Sequence, residues 1–167
     1  MSGRRIVARV FAVLAAFALC GTVSACGSGL QFSQDHRLRF TSPEDRGTVT
    51  LPFRLAWTMH DAPSGSTFAV MLDHNPPPAG EQLSWLFRHD AACRADLGCP
   101  TPEFLAENGI YTTRQPQQLI DALSAPTGQQ HRGREAHTAT VILLDRSGRR
   151  IGETAWYREF SIERGAS

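Results

Sequence analysis

Histidine and aspartate side chains are the first residues of this sequence whose types suggest chemistry, because neutral imidazole binds metal ions and acts as a general base. The chain contains six histidines: His36, His60, His74, His89, His131 and His137. Asp61, Asp73 and Asp90 are direct neighbours of His60, His74 and His89. No pair has the HxH or HExxH spacing of two ligands on one element. The sequence therefore predicts no metal ion and no cofactor, although a site assembled from several loops stays open.

Nucleophilic catalysis has no clear set of residues either. The sequence lacks the GxSxG turn that presents a nucleophilic serine, and it lacks a glycine-rich phosphate-binding loop. His137 with Asp73 or Asp145 is the pairing that a serine–histidine–aspartate set would need. Such a set cannot be inferred from residues that most proteins contain. We therefore expect a protein that is not an enzyme, and the alternative is a hydrolase or metal-binding protein with a histidine and carboxylate site.

The N-terminal segment has the pattern of an export signal. Three arginines precede an apolar run at residues 10–19, which is shorter than the roughly 20 residues that span a bilayer. The sequence Val23-Ser24-Ala25-Cys26 follows and resembles the lipobox of bacterial lipoproteins. This resemblance implies cleavage before Cys26, a diacylglycerol on its sulfur and an acylated new N terminus. An ordinary signal peptidase site after Ala25 is the alternative.

The cysteine count favours lipidation of Cys26. Cys20 would leave with the signal peptide, so an exported chain would keep an odd number of cysteines. With lipid on Cys26, the other two, Cys93 and Cys99, can pair outside the cytoplasm. Five residues separate them, whereas two separate the cysteines of a redox motif, so we expect a structural disulfide. A bond from Cys26 to either of them is the alternative.

Composition divides the chain into a signal peptide at 1–25, a flexible tether at 26–36 and one folded domain at 37–164. The tether begins with Gly27-Ser28-Gly29 and has no hydrophobic period. All 17 basic residues are arginines and three of them lie in the signal, so the 16 carboxylates outnumber the arginines elsewhere. This balance argues against nucleic acid as a partner.

The folded region begins and ends with the alternation of apolar and polar residues that is typical of strands. Residues 49–57 alternate, with Pro52 on the polar face, which indicates an edge or a bulge there. Residues 66–73 alternate again, and the two segments predict an antiparallel hairpin. Residues 136–145 and 153–162 predict a second hairpin around a turn at Gly148. Arg158 shares the inward parity of that last strand, so either a bulge shifts the register or its head reaches solvent.

An insert at about 75–109 separates the two hairpins. Thr101 and Pro102 begin a short helix in it, and Asn108-Gly109 ends the helix. A scaffold-held insert is a common place for function, so we expect a binding surface there. Its candidate residues are Trp85, Phe87, Arg88 and Arg94. The alternative is that the insert covers an exposed sheet edge.

The segments LAW and FAVML, with the final VILLD-RSG-ETAW-EFSI hairpin, resemble strands of fibronectin type III and immunoglobulin-like domains. The resemblance implies a mostly β, antiparallel β-sandwich, here with a disulfide-containing, partly helical insert. The chain departs from those domains in its extra length and in the missing tyrosine of the penultimate strand. We therefore expect a lipid-anchored envelope lipoprotein that acts as a non-enzymatic binding or accessory module for an envelope protein or glycan.

Replacing Cys26 tests the anchor directly. The Cys26→Ala protein should remain uncleaved or be released from membranes, because it lacks the sulfur that carries the diacylglycerol. Membrane fractionation with immunoblotting measures both outcomes, and Cys20→Ala, inside the signal, serves as the control. Wild-type membrane attachment of a cleaved Cys26→Ala protein would contradict lipidation.

Overall fold

The computed structural model describes residues 35–123, 130–131 and 134–163. The predicted signal peptide, Cys26 and nearly all of the tether lie outside the described residues. The strands are β1 Leu38–Ser42, β2 Gly47–Val49, β3 Phe53–Met59, β4 Thr67–Leu72, β5 Ile110–Thr113, β6 Gln117–Ile120, β7 Gln130–His131, β8 Arg134–Leu144 and β9 Trp156–Glu163. The helices are a 3₁₀ turn at Leu83–Phe87, α1 at Ala91–Ala95 and α2 at Pro102–Glu107. This part of the chain is mostly β, as the sequence predicts.

The strands form two sheets. One has three strands in the order β1-β3-β6, and the other has the order β2-β9-β8-β4-β5, with β7 paired to β8. Strand β2 runs parallel to β9, whereas the other pairs are antiparallel. The expectation of a purely antiparallel arrangement is therefore wrong at β2.

The two sheets pack on a shared cluster of apolar side chains, which we call the intersheet core. The three-stranded sheet contributes Leu38, Phe53, Leu55, Trp57 and Ile120. The six-stranded sheet contributes Phe68, Val70, Leu72, Ala139, Val141, Leu143, Trp156, Phe160 and Ile162. Aromatic pairs bridge the layers, with ring centroids 5.1 Å apart in one pair and 5.2 Å in the other. Fully burying each large side chain contributes about 1.5–3 kcal/mol, so this core is the main source of stability.

The alternating segment at 49–57 is two strands rather than one. Val49 ends β2 in the six-stranded sheet, and Phe53 begins β3 in the other sheet. Residues 50–52 cross between the sheets, which leaves Leu51 38% exposed. Pro52 cannot donate a ladder hydrogen bond, so it fits a crossing better than a strand interior.

The predicted hairpin of the first two alternating segments is wrong. Strand β3 pairs with β1 and β6, whereas β4 pairs with β5 and β8 in the opposite sheet. Both strands bury their alternate side chains in the same intersheet core. A period of two therefore identified the buried face of each strand, but it carries no information on which strand is the partner.

The C-terminal hairpin is confirmed. Strands β8 and β9 pair in one unbroken register, and Gly148 in the turn has a φ of 77°. Because no bulge interrupts the register, Arg158 keeps its inward parity. Its guanidinium group lies 5.1 Å from the Phe40 ring and 3.3 Å from an Asp45 carboxylate oxygen. The first predicted alternative, a bulge, is therefore wrong, and the inward side chain is 18% exposed with its head paired to the Asp45 carboxylate.

The insert packs on the outer face of the six-stranded sheet and forms a third layer. Ala69 and Met71 of β4 point away from the intersheet core, as do Ile142 and Leu144 of β8. They form a second cluster, the outer core, with side chains of the insert and β5. Those side chains are Leu83, Leu86, Phe87, Leu105 and Ile110. The insert therefore covers a sheet face rather than an edge.

Two local predictions about the insert are confirmed. Cys93 and Cys99 form a disulfide, with Cα atoms 5.1 Å apart. The Thr101 hydroxyl accepts a hydrogen bond from the Phe104 N–H at 3.2 Å and caps α2, and Gly109, with a φ of 71°, follows its end. These local restraints hold a segment that contains little regular structure.

The Asp145 carboxylate should make stability depend on pH. The Ser147 hydroxyl, with the Arg149 and Ser147 N–H groups, holds the pKa of Asp145 below its usual value. A lowered folded-state pKa stabilises the fold above the unfolded value of about 3.9, and the contribution disappears as the pH falls through the folded-state pKa. In urea unfolding, Asp145→Asn should be less stable than wild type at about pH 7, and the difference should shrink below about pH 4. A difference that stays constant with pH would contradict this role.

Candidate functional site

The outer face of the six-stranded sheet is open beside the insert. Along β8 the side chains of Thr138 and Thr140 share the outward parity of the outer core. Along β9 the residues that alternate with the buried ones are Tyr157, Glu159 and Ser161. The two strands pair Thr140 with Tyr157 and Thr138 with Glu159. A polar, partly aromatic surface therefore continues the sheet face where the insert ends.

Two adjoining concavities lie on this surface, and we call them together the outer groove. One has a volume of about 320 Å³ and is lined by Arg46, Ala136, His137, Thr138, Glu159, Phe160 and Ser161. The other has a volume of about 390 Å³ and is lined by Asp73, His74, Asn75, Thr138, Thr140 and Tyr157. Thr138 lines both, and each volume is in the range of small-molecule sites.

The charged side chains of the outer groove are already paired. Arg46 lies 3.1 Å from a Glu159 carboxylate oxygen, and both side chains are mostly exposed. Asp73 adds a second carboxylate. Since Arg46 is the one arginine among the lining residues that the structure describes, these residues present no unpaired guanidinium to a ligand.

Asp73 connects the outer groove to the intersheet core. Its carboxylate accepts hydrogen bonds from the Thr138 N–H at 2.8 Å and from His137 Nδ1 at 2.7 Å. Its own N–H donates to the Thr138 carbonyl at 2.8 Å. Asp73 has a φ of 59°, a left-handed conformation that aspartate tolerates better than most residues. These contacts hold the carboxylate in one orientation.

His137 lies inside the fold, behind the outer groove. Its side chain is 1% exposed, and its ring stacks on Phe160 with centroids 5.8 Å apart. Its Nε2 is 3.9 Å from a carboxylate oxygen of Glu135, whose side chain is 2% exposed. The predicted pairing of His137 with Asp73 is therefore present, but the imidazole faces other side chains rather than solvent. In this position it can orient Asp73.

The other histidines are not brought together. His36, His60 and His89 are exposed, and His74 donates from Nε2 to the Asn108 carbonyl at 2.8 Å, which ties the two ends of the insert together. The side chain of His131 lies outside the described residues. Within the described ranges, the histidine, cysteine and acidic side chains form no group that could hold a metal ion. Asp145 is held in its own turn by Ser147 and Arg149.

The residues predicted to form a binding surface on the insert differ in their surroundings. Trp85 is half-buried, and the Arg88 guanidinium carbon lies 3.5 Å from its ring centroid. Phe87 packs edge-on against Phe104 with centroids 4.9 Å apart and contributes to the outer core. Arg94 is exposed within the disulfide loop. Trp85 and Arg88 therefore form one unit, and binding by these residues stays a prediction.

Sequence reasoning did not identify the outer groove. Two of its exposed residues, Tyr157 and Glu159, alternate with the inward-facing residues of β9. This alternation was the sequence feature that could have indicated an exposed surface here. Arg46 precedes β2 and reaches the exposed residues of β9 only because β2 pairs with that strand, which lies more than 100 residues later in the sequence. Asn75 reaches it at the start of the insert.

Comparison of the chain with protein-family models, with curated proteins and with solved structures finds no match in any of the three. Separately, none of the helices in the part of the chain that the structure describes is long and apolar enough to span a membrane.

Removing the Asp73 carboxylate should destabilise the fold, because the buried His137 Nδ1 and the Thr138 N–H lose their acceptor. We expect Asp73→Ala to lose about 1–3 kcal/mol more unfolding free energy than the control in urea unfolding. The control is Asp61→Ala, since exposed Asp61 also has a positive φ, of 55°, and carries the same backbone strain. Equal losses in the two variants would contradict the linking role of Asp73.

Proposed function

We propose that the protein is a lipoprotein of the cell envelope, anchored by Cys26 on the extracytoplasmic face of the membrane. The lipobox-like residues before Cys26 support this proposal. The Cys93–Cys99 disulfide also supports it, because such bonds persist in oxidising compartments outside the cytosol. A tether of about ten residues spans at most about 33 Å, so the domain would work close to the membrane surface.

We further propose that the domain is an immunoglobulin-type sandwich. In that arrangement strands A, B and E lie in one sheet and strands C, F and G lie in the other. The order β1-β3-β6 corresponds to the first set, and the order β4-β8-β9 corresponds to the second. The shared intersheet core is consistent with this assignment. In this interpretation β5 is an additional strand next to C.

The role that the geometry supports best is binding without catalysis. The observation that supports this role is that the outer groove is open and partly polar, whereas the imidazole of His137 lies behind the groove and is 1% exposed. A hydrolase of the alternative type needs an imidazole within hydrogen-bonding distance of its substrate. His137 instead supports Asp73, which lines the groove. The other imidazole of the groove, His74, uses its Nε2 to donate a hydrogen bond to the Asn108 carbonyl. The protein then acts as a binding or accessory module whose ligand is an envelope component.

The binding side of the domain is its outer layer, composed of the outer groove and the exposed part of the insert. The groove lies directly beside the residues where the insert begins, so a ligand of moderate size can contact both. A rigid insert held by a disulfide and a capped helix loses little entropy on binding. Trp85 and Arg88 add a stacked aromatic and cationic pair, which is a common combination at interaction sites.

Position-specific photocrosslinking in cells tests this assignment. Crosslinkers at positions 85, 88, 94 and 157 should capture the same envelope component, because all four lie on the outer layer. A crosslinker at position 54 is the control, since Arg54 is exposed on the opposite sheet. Capture from position 54 alone, by proteins that still fold, would contradict the assignment.

A further inference from the structure

We infer that the outer groove binds a neutral carbohydrate chain, with the Tyr157 ring as its stacking platform. This inference rests on the proposed function, since it names the chemical class of ligand for the same surface. It is carried by three properties of the groove: an exposed aromatic ring, a mixed set of hydrogen-bonding groups and paired charges.

Tyr157 is the aromatic side chain of the groove that faces solvent. It is 56% exposed and lies near the start of β9, within a strand rather than at a loop tip. Its cross-strand partner Thr140 is 1% exposed, and the Thr140 hydroxyl donates a hydrogen bond to the His74 carbonyl at 3.3 Å, so Tyr157 is the exposed member of this pair. The C–H face of a pyranose ring is apolar and packs on an aromatic face, where it leaves its hydroxyl groups free at the edge. A sugar ring therefore fits the space beside Tyr157.

The other lining groups match the hydroxyl groups of a sugar. The Asn75 amide both donates and accepts, the Thr138 hydroxyl does the same, and the Asp73 carboxylate accepts. A sugar hydroxyl donates one hydrogen bond and accepts others, so it can use all three types. Asp73 is already oriented by Thr138 and His137, and a fixed acceptor costs less entropy on binding than a mobile one.

Charge and hydrophobicity argue against other ligands. The guanidinium of Arg46 is paired with Glu159, and with Asp73 the lining residues that the structure describes include more carboxylates than arginines, which disfavours phosphate and other anions. Within the described part of the chain, Tyr157 is the one large exposed apolar side chain among the residues lining the groove, so these residues offer little to an apolar peptide. The two concavities join at Thr138, which suits a chain of at least two sugar residues.

Calorimetric titration of the full chain tests the inference. The protein is held in micelles of a detergent without a sugar head group and titrated with neutral oligomers of glucose, galactose, mannose, arabinose and N-acetylglucosamine. We expect at least one of these to bind. Tyr157→Ala should weaken its affinity about tenfold or more, while Tyr157→Phe should stay within about threefold of wild type because it keeps the ring.

Two further variants keep the test decisive. Leu119→Ala is the matched control, because Leu119 is 51% exposed on the three-stranded sheet and should not affect binding. Asn75→Ala lies outside the strands and should weaken binding about threefold even if Tyr157→Ala fails to fold. Failure of all five sugars to bind, or equal affinities of wild type, Tyr157→Ala and Asn75→Ala, overturns the inference.

Failure of this inference is distinguishable from failure of the proposed function. If crosslinkers on the outer layer capture an envelope component but none of the sugars binds, the ligand class is wrong and the binding surface stands. Preferential binding of a phosphorylated sugar or a peptide has the same meaning. If crosslinking also fails on the outer layer, the binding role proposed for this surface and its carbohydrate ligand are both wrong.

Discussion

Strand β4 is buried on both of its faces, and this burial determines what must surround it. Phe68, Val70 and Leu72 point into the intersheet core, whereas Ala69 and Met71 point to the opposite side. Apolar side chains on that second side need a cover, because leaving them in water would forfeit the free energy of their burial. The insert supplies this cover. It is therefore part of the folded structure, and its disulfide and helix cap restrain a layer that the sheet requires.

The position of the insert also determines where the sheet face stays open. It covers β4 and the end of β8, where Ile142 and Leu144 lie, and its first residues, His74 and Asn75, lie at the border of the uncovered part. Asp73 lies at the same border and is held by a histidine from inside the fold. The buried imidazole of His137 therefore orients the Asp73 carboxylate, which a ligand in the outer groove would contact.

Much of the fold could be predicted from local patterns, because the periodicity of Phe53, Leu55 and Trp57 directly reflects which face is buried. The cap at Thr101 and the turn at Gly148 are equally local. The pairing of β8 with β9 was predicted because a short turn joins them, whereas periodicity alone does not identify a partner, and β3 and β4 therefore appeared to be a hairpin.

The burial of β4 on both faces did leave a signal, since all residues of FAVML are apolar, which is typical of a strand between two layers. His137 left one too, because it shares the parity of Ala139 and Val141. The outer groove could hardly be predicted from the sequence, because its residues come from distant parts of the chain and meet only through sheet pairing.

The three-layer arrangement is tested most directly by measuring how closely solvent approaches individual methyl groups. Full-length protein with labelled Met, Ile and Thr methyl groups is exposed to a soluble paramagnetic agent, and the NMR relaxation rate of each group is recorded. We expect the methyl groups of Met71 and Ile142 to be protected, as Ile120 is in the intersheet core, and the methyl group of Thr138 in the outer groove to relax faster. Relaxation of Met71 and Ile142 at the rate of Thr138 would mean that the insert does not cover the sheet, and it would contradict both the third layer and the groove that the layer borders.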